Sequence, residues 1–281
     1  MWFTKEYKDF WLQSHRVTDR IFSEESDIQK IEVYRSEQFG NILAVDEKLV
    51  LTQKDDFIHH EMLVHVPMCT HKDPKRVLVL GGGNGGCVNE LLKHEGVTID
   101  MVEPDSEVIE VSKEFFIEYL DALNSDSCNV IIETTVDFVK KCESKIYDVV
   151  IVDAMAPVRT KEGEIFEESF FTEIYRILKD DGVCAAQAGS WWLEVDQNRR
   201  VLKNMGKLFN IVLPYRYEMY LYPGCVFTSA IASKKYHPTA DIILQRADLL
   251  DDLKYYNSDV HKAAFALPNY IEKSLKEVLK K

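Results

Sequence analysis

The sequence predicts a doubly wound α/β domain, mostly parallel in its sheet, behind a small β-rich N-terminal domain. Three observations carry this. The first 70 or so residues show short strand patterns broken by tight turns. From Lys75 onward, short apolar strands alternate with helical stretches. At the first of those strands, the run Gly81-Gly82-Gly83-Asn84-Gly85-Gly86 separates strand from helix, the turn at which such sheets bind nucleotides. We expect residues 1–56 to form the N-terminal domain and residues 57–281 a Rossmann-type domain.

The elements follow in order. Ile31-Glu32-Val33-Tyr34 alternates apolar with polar, Asn41 to Val45 follows a turn at Gly40, and Leu49 to Thr52 follows the turn Asp46-Glu47-Lys48. Asp56 to Met68 reads as a helix with Phe57, Met62, Leu63 and Val66 on its apolar face. Arg76 to Leu80 is continuously apolar after its first residue, as a strand covered on both faces should be. A helix from Cys87 to Lys93 comes next, then a strand Thr98 to Val102 ending at Glu103. A helix around Val108 to Tyr119 leads to a third strand, Asn129 to Glu133. Tyr147 to Val152, ending at Asp153, is the fourth strand. A helix from Phe170 to Leu178 precedes the fifth, Gly182 to Gln187.

Composition narrows the function. The 281 residues are 46% hydrophobic and 29% charged, enough core for one large domain and a small one. Without an apolar run of about 18 residues, no transmembrane helix is expected. The N-terminus lacks a basic patch followed by an apolar stretch, which points to a cytoplasmic protein. The six cysteines are scattered with no Cys-x-x-Cys pair, and we expect reduced, mostly buried thiols. His59, His60 and His65 complete no known metal spacing, so no metal is expected. A net charge of −13 argues against nucleic acid and suits a cationic substrate.

The glycine run lets the backbone turn tightly and approach a ligand without a Cβ clash. Glu103 closes the second strand about 20 residues later, where a carboxylate can hold the two hydroxyls of a ribose. Such a loop serves either NAD or an adenosyl sulfonium donor. Asp153, ending the fourth strand, is a site residue on fold grounds.

The chain also resembles a known family, the polyamine aminopropyltransferases, and spermidine synthases in particular. The resemblance rests on Trp2-Phe3-Thr4, on Phe39 to Leu43, and on Leu51-Thr52 with Asp55-Asp56-Phe57 and His60-Glu61-Met62-Leu63. It continues in the six-residue glycine loop, in Tyr222-Pro223, and in the long ending Leu253 to Pro268. It implies a sheet of the class I methyltransferase kind and transfer of the aminopropyl group of decarboxylated S-adenosylmethionine to an amine such as putrescine. No permanently bound cofactor is implied. Asp153 matches the proton acceptor and Tyr222 its helper. Gln29, His60, Gly81, Gly83, Asn84, Gly85, Glu103 and Thr134 match the adenosyl-ligand positions, and Trp2, His59 and Gln187 the diamine channel. Family members are commonly dimers or tetramers, so a homo-oligomer is expected.

The departures fall in the site. The family's Gly-Gly-Gly-Asp-Gly-Gly has Asn84 for its aspartate, and where the carboxylate would pair with the donor's ammonium, Asn84 can only hydrogen-bond it. Asp153-Ala154-Met155-Ala156-Pro157 lacks the family's second aspartate. His59 and Val50 stand for a tyrosine and a glutamine, and Glu133-Thr134-Thr135 for a Gly-Asp-Gly. Arg159-Thr160-Lys161 brings positive charge to a loop that lacks it in the family. Three readings follow. One is an aminopropyltransferase with altered substrates. Another is an N-methyltransferase using intact S-adenosylmethionine, whose carboxylate Arg159 or Lys161 could pair. The third is a non-catalytic paralogue that partners an active spermidine synthase in a hetero-oligomer.

Overall fold

The computed structural model describes residues 1–7, 9–154, 164–222 and 224–280. The N-terminal region carries more strands than its hydrophobic pattern suggested. β1 (Trp2–Tyr7) and β2 (Trp11–Arg16) form an antiparallel hairpin. β3 (Asp19–Glu25), β4 (Lys30–Ser36), β5 (Gly40–Val45) and β6 (Lys48–Thr52) form a four-stranded antiparallel sheet. The first three strands face water along much of their length, so no apolar alternation marked them.

Helix α1 (Asp56–Thr70) then enters the large domain. Its strands are β7 (Arg76–Gly81), β8 (Thr98–Glu103), β9 (Cys128–Ile132), β10 (Tyr147–Asp153), β11 (Leu178–Ser190), β12 (Ile211–Glu218) and β13 (Val226–Ser233). Among the described residues they form one sheet in the order β12-β13-β11-β10-β7-β8-β9. The five strands from β11 to β9 are parallel, and β13 runs antiparallel to both of its neighbours. Strand order reverses between β7 and β10, and a doubly wound sheet binds its ligand at that crevice, outside the carboxyl ends of the strands.

Side chains of each central strand alternate between the two faces. Leu78, Leu80, Val150 and Val152 pack on the face covered by α5 (Thr135–Lys141), α6 (Glu168–Ile177) and α7 (Val195–Gly206). Val77, Val79, Val149 and Ile151 pack under α1 and α2 (Gly86–Leu91). This two-sided burial is why the strands read as continuous apolar runs.

The single helix expected over Val108 to Tyr119 is broken. Helix α3 (Ser106–Phe115) stops where Phe116 leaves helical geometry, at φ −126° and ψ 60°. A 3₁₀ turn (Ile117–Tyr119) and the short α4 (Leu120–Leu123) follow. The cause is tertiary: Phe116 is fully buried against Ile31, Val33 and Leu43 of the N-terminal sheet, and that burial outweighs continuing one helix. The chain ends in α8 (Leu244–Asp248), α9 (Ser258–Ala264) and α10 (Asn269–Leu275). Among the described residues, no helix is long and apolar enough to cross a membrane.

Candidate active site

One cavity opens at the carboxyl edge of the sheet. Its floor is the loop from Gly81 to Asn84. Gly81 pairs with Asp153 across the parallel ladder, and Gly82 donates its N–H to the Asp153 carbonyl at 3.1 Å. At φ +83°, a Cβ on Gly81 would stand 2.5 Å from that carbonyl oxygen, so only glycine fits. Loop and strand end are therefore locked together.

Glu103 is buried at the end of β8 and borders the cavity. One carboxylate oxygen accepts the Gly83 N–H and the other the Asp105 N–H, both at 3.1 Å. Gln29 borders the same end and donates to the Asp105 carboxylate at 3.1 Å. Asn84 is turned inward, its Oδ1 accepting the Gly86 N–H at 2.7 Å. The His60 ring lies where a Cβ on Gly86 would be, 2.0 Å away. Burial pushes His60 down to about 4 and keeps it neutral, and its Nδ1 has no hydrogen-bond partner among the described residues.

Asp153 stands in the middle of the cavity. Its Oδ1 meets His59 Nε2 at 2.8 Å and its Oδ2 accepts the Cys87 thiol at 3.3 Å. His59 Nδ1 meets the Tyr217 hydroxyl at 2.9 Å, and Tyr217 in turn meets Ser229. Burial alone would raise the Asp153 pKa, but the neighbouring His59 outweighs it and holds the carboxyl at about 2. Beyond Asp153 the cavity continues past Gln187 and Gly189 to Glu194, Gln197 and Tyr222. Tyr222 donates to Glu194 at 3.1 Å, and burial first, then that carboxylate, keeps the phenol protonated far above its ordinary pKa.

The structure thus gathers Gln29, His59, His60, Gly81, Gly83, Asn84, Glu103, Asp153, Gln187 and Tyr222 around one cavity. Three expected residues do not line it. Trp2 is 66% exposed on the β1–β2 hairpin. Thr134 caps α5, accepting the Asp137 N–H, and its neighbour Thr135 lines the cavity in its place. Gly85 is the left-handed residue that starts α2, just behind the lining loop. Met155, Ala156, Pro157, Arg159, Thr160, Lys161 and Pro223 lie outside the described residues. All six cysteines are free, but only Cys69, Cys87 and Cys184 are buried and Cys225 is exposed.

Residues 56–242 match the family model of the spermine/spermidine synthase domain, and residues 1–53 that of the spermidine synthase tetramerisation domain. The chain belongs to the spermine/spermidine synthase family. A polyamine aminopropyltransferase of Methanocaldococcus jannaschii is 37% identical over 99% of this chain and 96% of its own. One from Clostridium perfringens is 37% identical over 99% of both chains. Among solved structures, a spermidine synthase in complex with the transition state analogue AdoDATO matches with a TM-score of 0.94 at 32% identity, covering 98% of this chain and 95% of that one. The spermidine synthase from Thermotoga maritima matches with a TM-score of 0.92 at 32% identity, covering 98% and 94%.

Against this family, the departures now have positions. Asn84 is tied to the loop backbone, Val50 lines the cavity with an apolar surface, and His59 grips the strand-end aspartate. Sequence reasoning missed Cys87, Tyr217 and Glu194. Glu194 alone had a readable signal, as a carboxylate just beyond the carboxyl end of a central strand.

Proposed function

We propose that this chain transfers the aminopropyl group of decarboxylated S-adenosylmethionine to a primary amine of a diamine such as putrescine, releasing methylthioadenosine. The supporting observation is a single cavity joining a glycine floor and Glu103 at one end to Asp153, Gln187 and Tyr222 at the other. In this reading Glu103 holds the ribose hydroxyls and Gln29 braces that end through Asp105.

The amine nitrogen attacks the methylene bonded to sulfur. As the new C–N bond forms, the C–S bond breaks and its electron pair stays on sulfur, which loses its positive charge. The attacking amine, with a pKa of about 10, must first lose a proton. A carboxyl held at about 2 is a poor acceptor by itself. Its partner His59 is hydrogen-bonded to it at 2.8 Å, so we assign the acceptor role to the pair. The Tyr217 hydroxyl can donate to or accept from His59 Nδ1, so the ring keeps its position in either tautomer. Alignment of nitrogen, carbon and sulfur supplies much of the remaining acceleration.

We further propose a homo-oligomer, since residues 1–53 match a tetramerisation domain. Met1, Trp2, Phe10 and Leu12 leave that hairpin a strongly exposed apolar surface, the kind a second copy covers.

Two measurements test the reaction. Calorimetric titration should show methylthioadenosine binding. Mass spectrometry with putrescine should show an aminopropylated product from the decarboxylated donor and none from intact S-adenosylmethionine. A methylated product would instead make it a methyltransferase, and no bound nucleoside would indicate a non-catalytic chain.

A further inference from the structure

We propose that Glu194 is the anionic anchor for the far ammonium of the amine substrate, and so the residue that selects a diamine over a monoamine. This rests on the aminopropyl-transfer reading and assigns one end of the same cavity.

Asn84 and Ala156 occupy the places of two family aspartates. The site therefore needs another negative group if it is to hold a dication. Glu194 lies at the junction of β11 and α7 and lines the cavity beyond Gln187, on the side away from Glu103. Its position is fixed. Oε2 accepts the Ser190 N–H at 2.7 Å and the Tyr222 hydroxyl at 3.1 Å. Neither bond uses Oε1, which leaves a full acceptor for a ligand. Room for the carboxylate comes from Gly189, where a Cβ would fall 2.3 Å from Oε2. Gly189 also has φ +90°, so no other residue suits the position.

Among the described residues, no lysine, arginine or histidine pairs with Glu194. Its partners are dipoles that orient the charge without cancelling it. A half-buried carboxylate in that state is a cation site waiting for its counter-charge. Gln197, one turn along α7, adds an amide to the same end. Glu194 also raises Tyr7, which burial and then this carboxylate push to about 12, so the hairpin stands within its field. A diamine laid along the cavity would present one nitrogen to Asp153 and the other to Glu194.

The test is titration of 1,4-diaminobutane and of n-butylamine onto the full chain saturated with methylthioadenosine. E194Q keeps the shape and the acceptor for Ser190 but removes the charge. Diamine affinity should fall roughly 10–100-fold while n-butylamine affinity moves less than about threefold. Turnover, where present, should show the loss in KM rather than kcat. E194D keeps the charge on a shorter arm and should shift preference toward 1,5-diaminopentane. Methylthioadenosine affinity, unchanged in both variants, reports an intact fold. Equal weakening of both amines, or an unmoved diamine, overturns the assignment, as does a wild-type chain that binds no diamine. If diamine binding follows the expected pattern but no aminopropylated product forms, the assignment stands and the transfer reading fails.

Discussion

In the proposed reaction the proton acceptor is a pair of residues, and the pairing sets what each substitution should do. His59 Nε2 sits 2.8 Å from Asp153 Oδ1 and the Cys87 thiol covers Oδ2. Asp153→Asn removes the charge that both orients His59 and faces the substrate, and kcat should fall about 10²–10⁴-fold with methylthioadenosine affinity unchanged. His59→Gln is the sharper variant. A glutamine amide can still donate to Asp153 but cannot hold the proton. We expect kcat to fall roughly 10–100-fold, with an altered acid limb in the pH–rate profile; an unaltered kcat and profile would leave His59 a packing residue. Asp153 and Glu103 were legible in the sequence because each ends an apolar strand, and strand ends in this fold face the ligand. The pair was not legible, because His59 lies 94 residues from its partner and only the crossing of α1 over β10 joins them. Glu194 had one readable signal, its place just beyond the carboxyl end of β11, but its direction was hidden. It sits in the aperiodic stretch Trp191-Trp192-Leu193-Glu194, and only the return of Tyr222 reveals where it points.

At the scale of elements, the glycine loop acts by bringing β7, β8 and β10 into one register. Gly83 shows this most directly. A Cβ there would lie 2.8 Å from the Glu103 carboxylate, so Gly83→Ala must push Glu103 off the backbone N–H that holds it. The clash is with the far end of a side chain, so the fold should survive, with a melting shift of only a few degrees. Methylthioadenosine affinity should fall about 10–100-fold by calorimetry, because the carboxylate proposed to hold the ribose is misplaced; an alanine variant that binds normally would show that Glu103 does not hold the ribose. The parallel strands β7, β8 and β10 could be read from their composition because two-sided burial makes them uniformly apolar. Strands β12 and β13 were not read as strands. Pro214 stands within β12, a residue that usually argues against a strand. It is tolerated because β12 ends the sheet order: beyond β13 it meets only a single bridge from Lys280, at Val212, which leaves Pro214 without a second neighbour. The break at Phe116 was equally silent, since its helix has an ordinary amphipathic pattern up to the residue that the neighbouring sheet pulls out.

Across the whole molecule, acid stability is governed by buried histidines. Burial pushes His60 down to about 4, His94 to about 3 and His261 to about 4, against 6.5 for each in an unfolded chain. A group whose folded pKa is depressed stabilises the fold above its unfolded value, and that stability is lost as pH falls toward the folded value. Asp56 opposes them. Burial raises it to about 7, so between pH 4 and 7 the folded state holds a proton that the unfolded chain releases. Near pH 5.5 the three histidines each gain close to one proton on unfolding and Asp56 loses about one, a net uptake of roughly two protons. The lowered His15 and His71 add to this uptake and the raised Glu61 subtracts. Unfolding free energy should therefore drop by about 2 kcal/mol or more per pH unit around pH 5.5, well before ordinary carboxylates titrate. Urea denaturation at several pH values between 7 and 4.5, followed by circular dichroism, measures the slope. His94→Gln can keep the contact to His65 Nδ1 while removing one titrating group, and should lower the uptake by about one proton. A slope that stays flat to pH 5, or one that His94→Gln leaves unchanged, would mean these histidines are hydrated enough to titrate in the folded state.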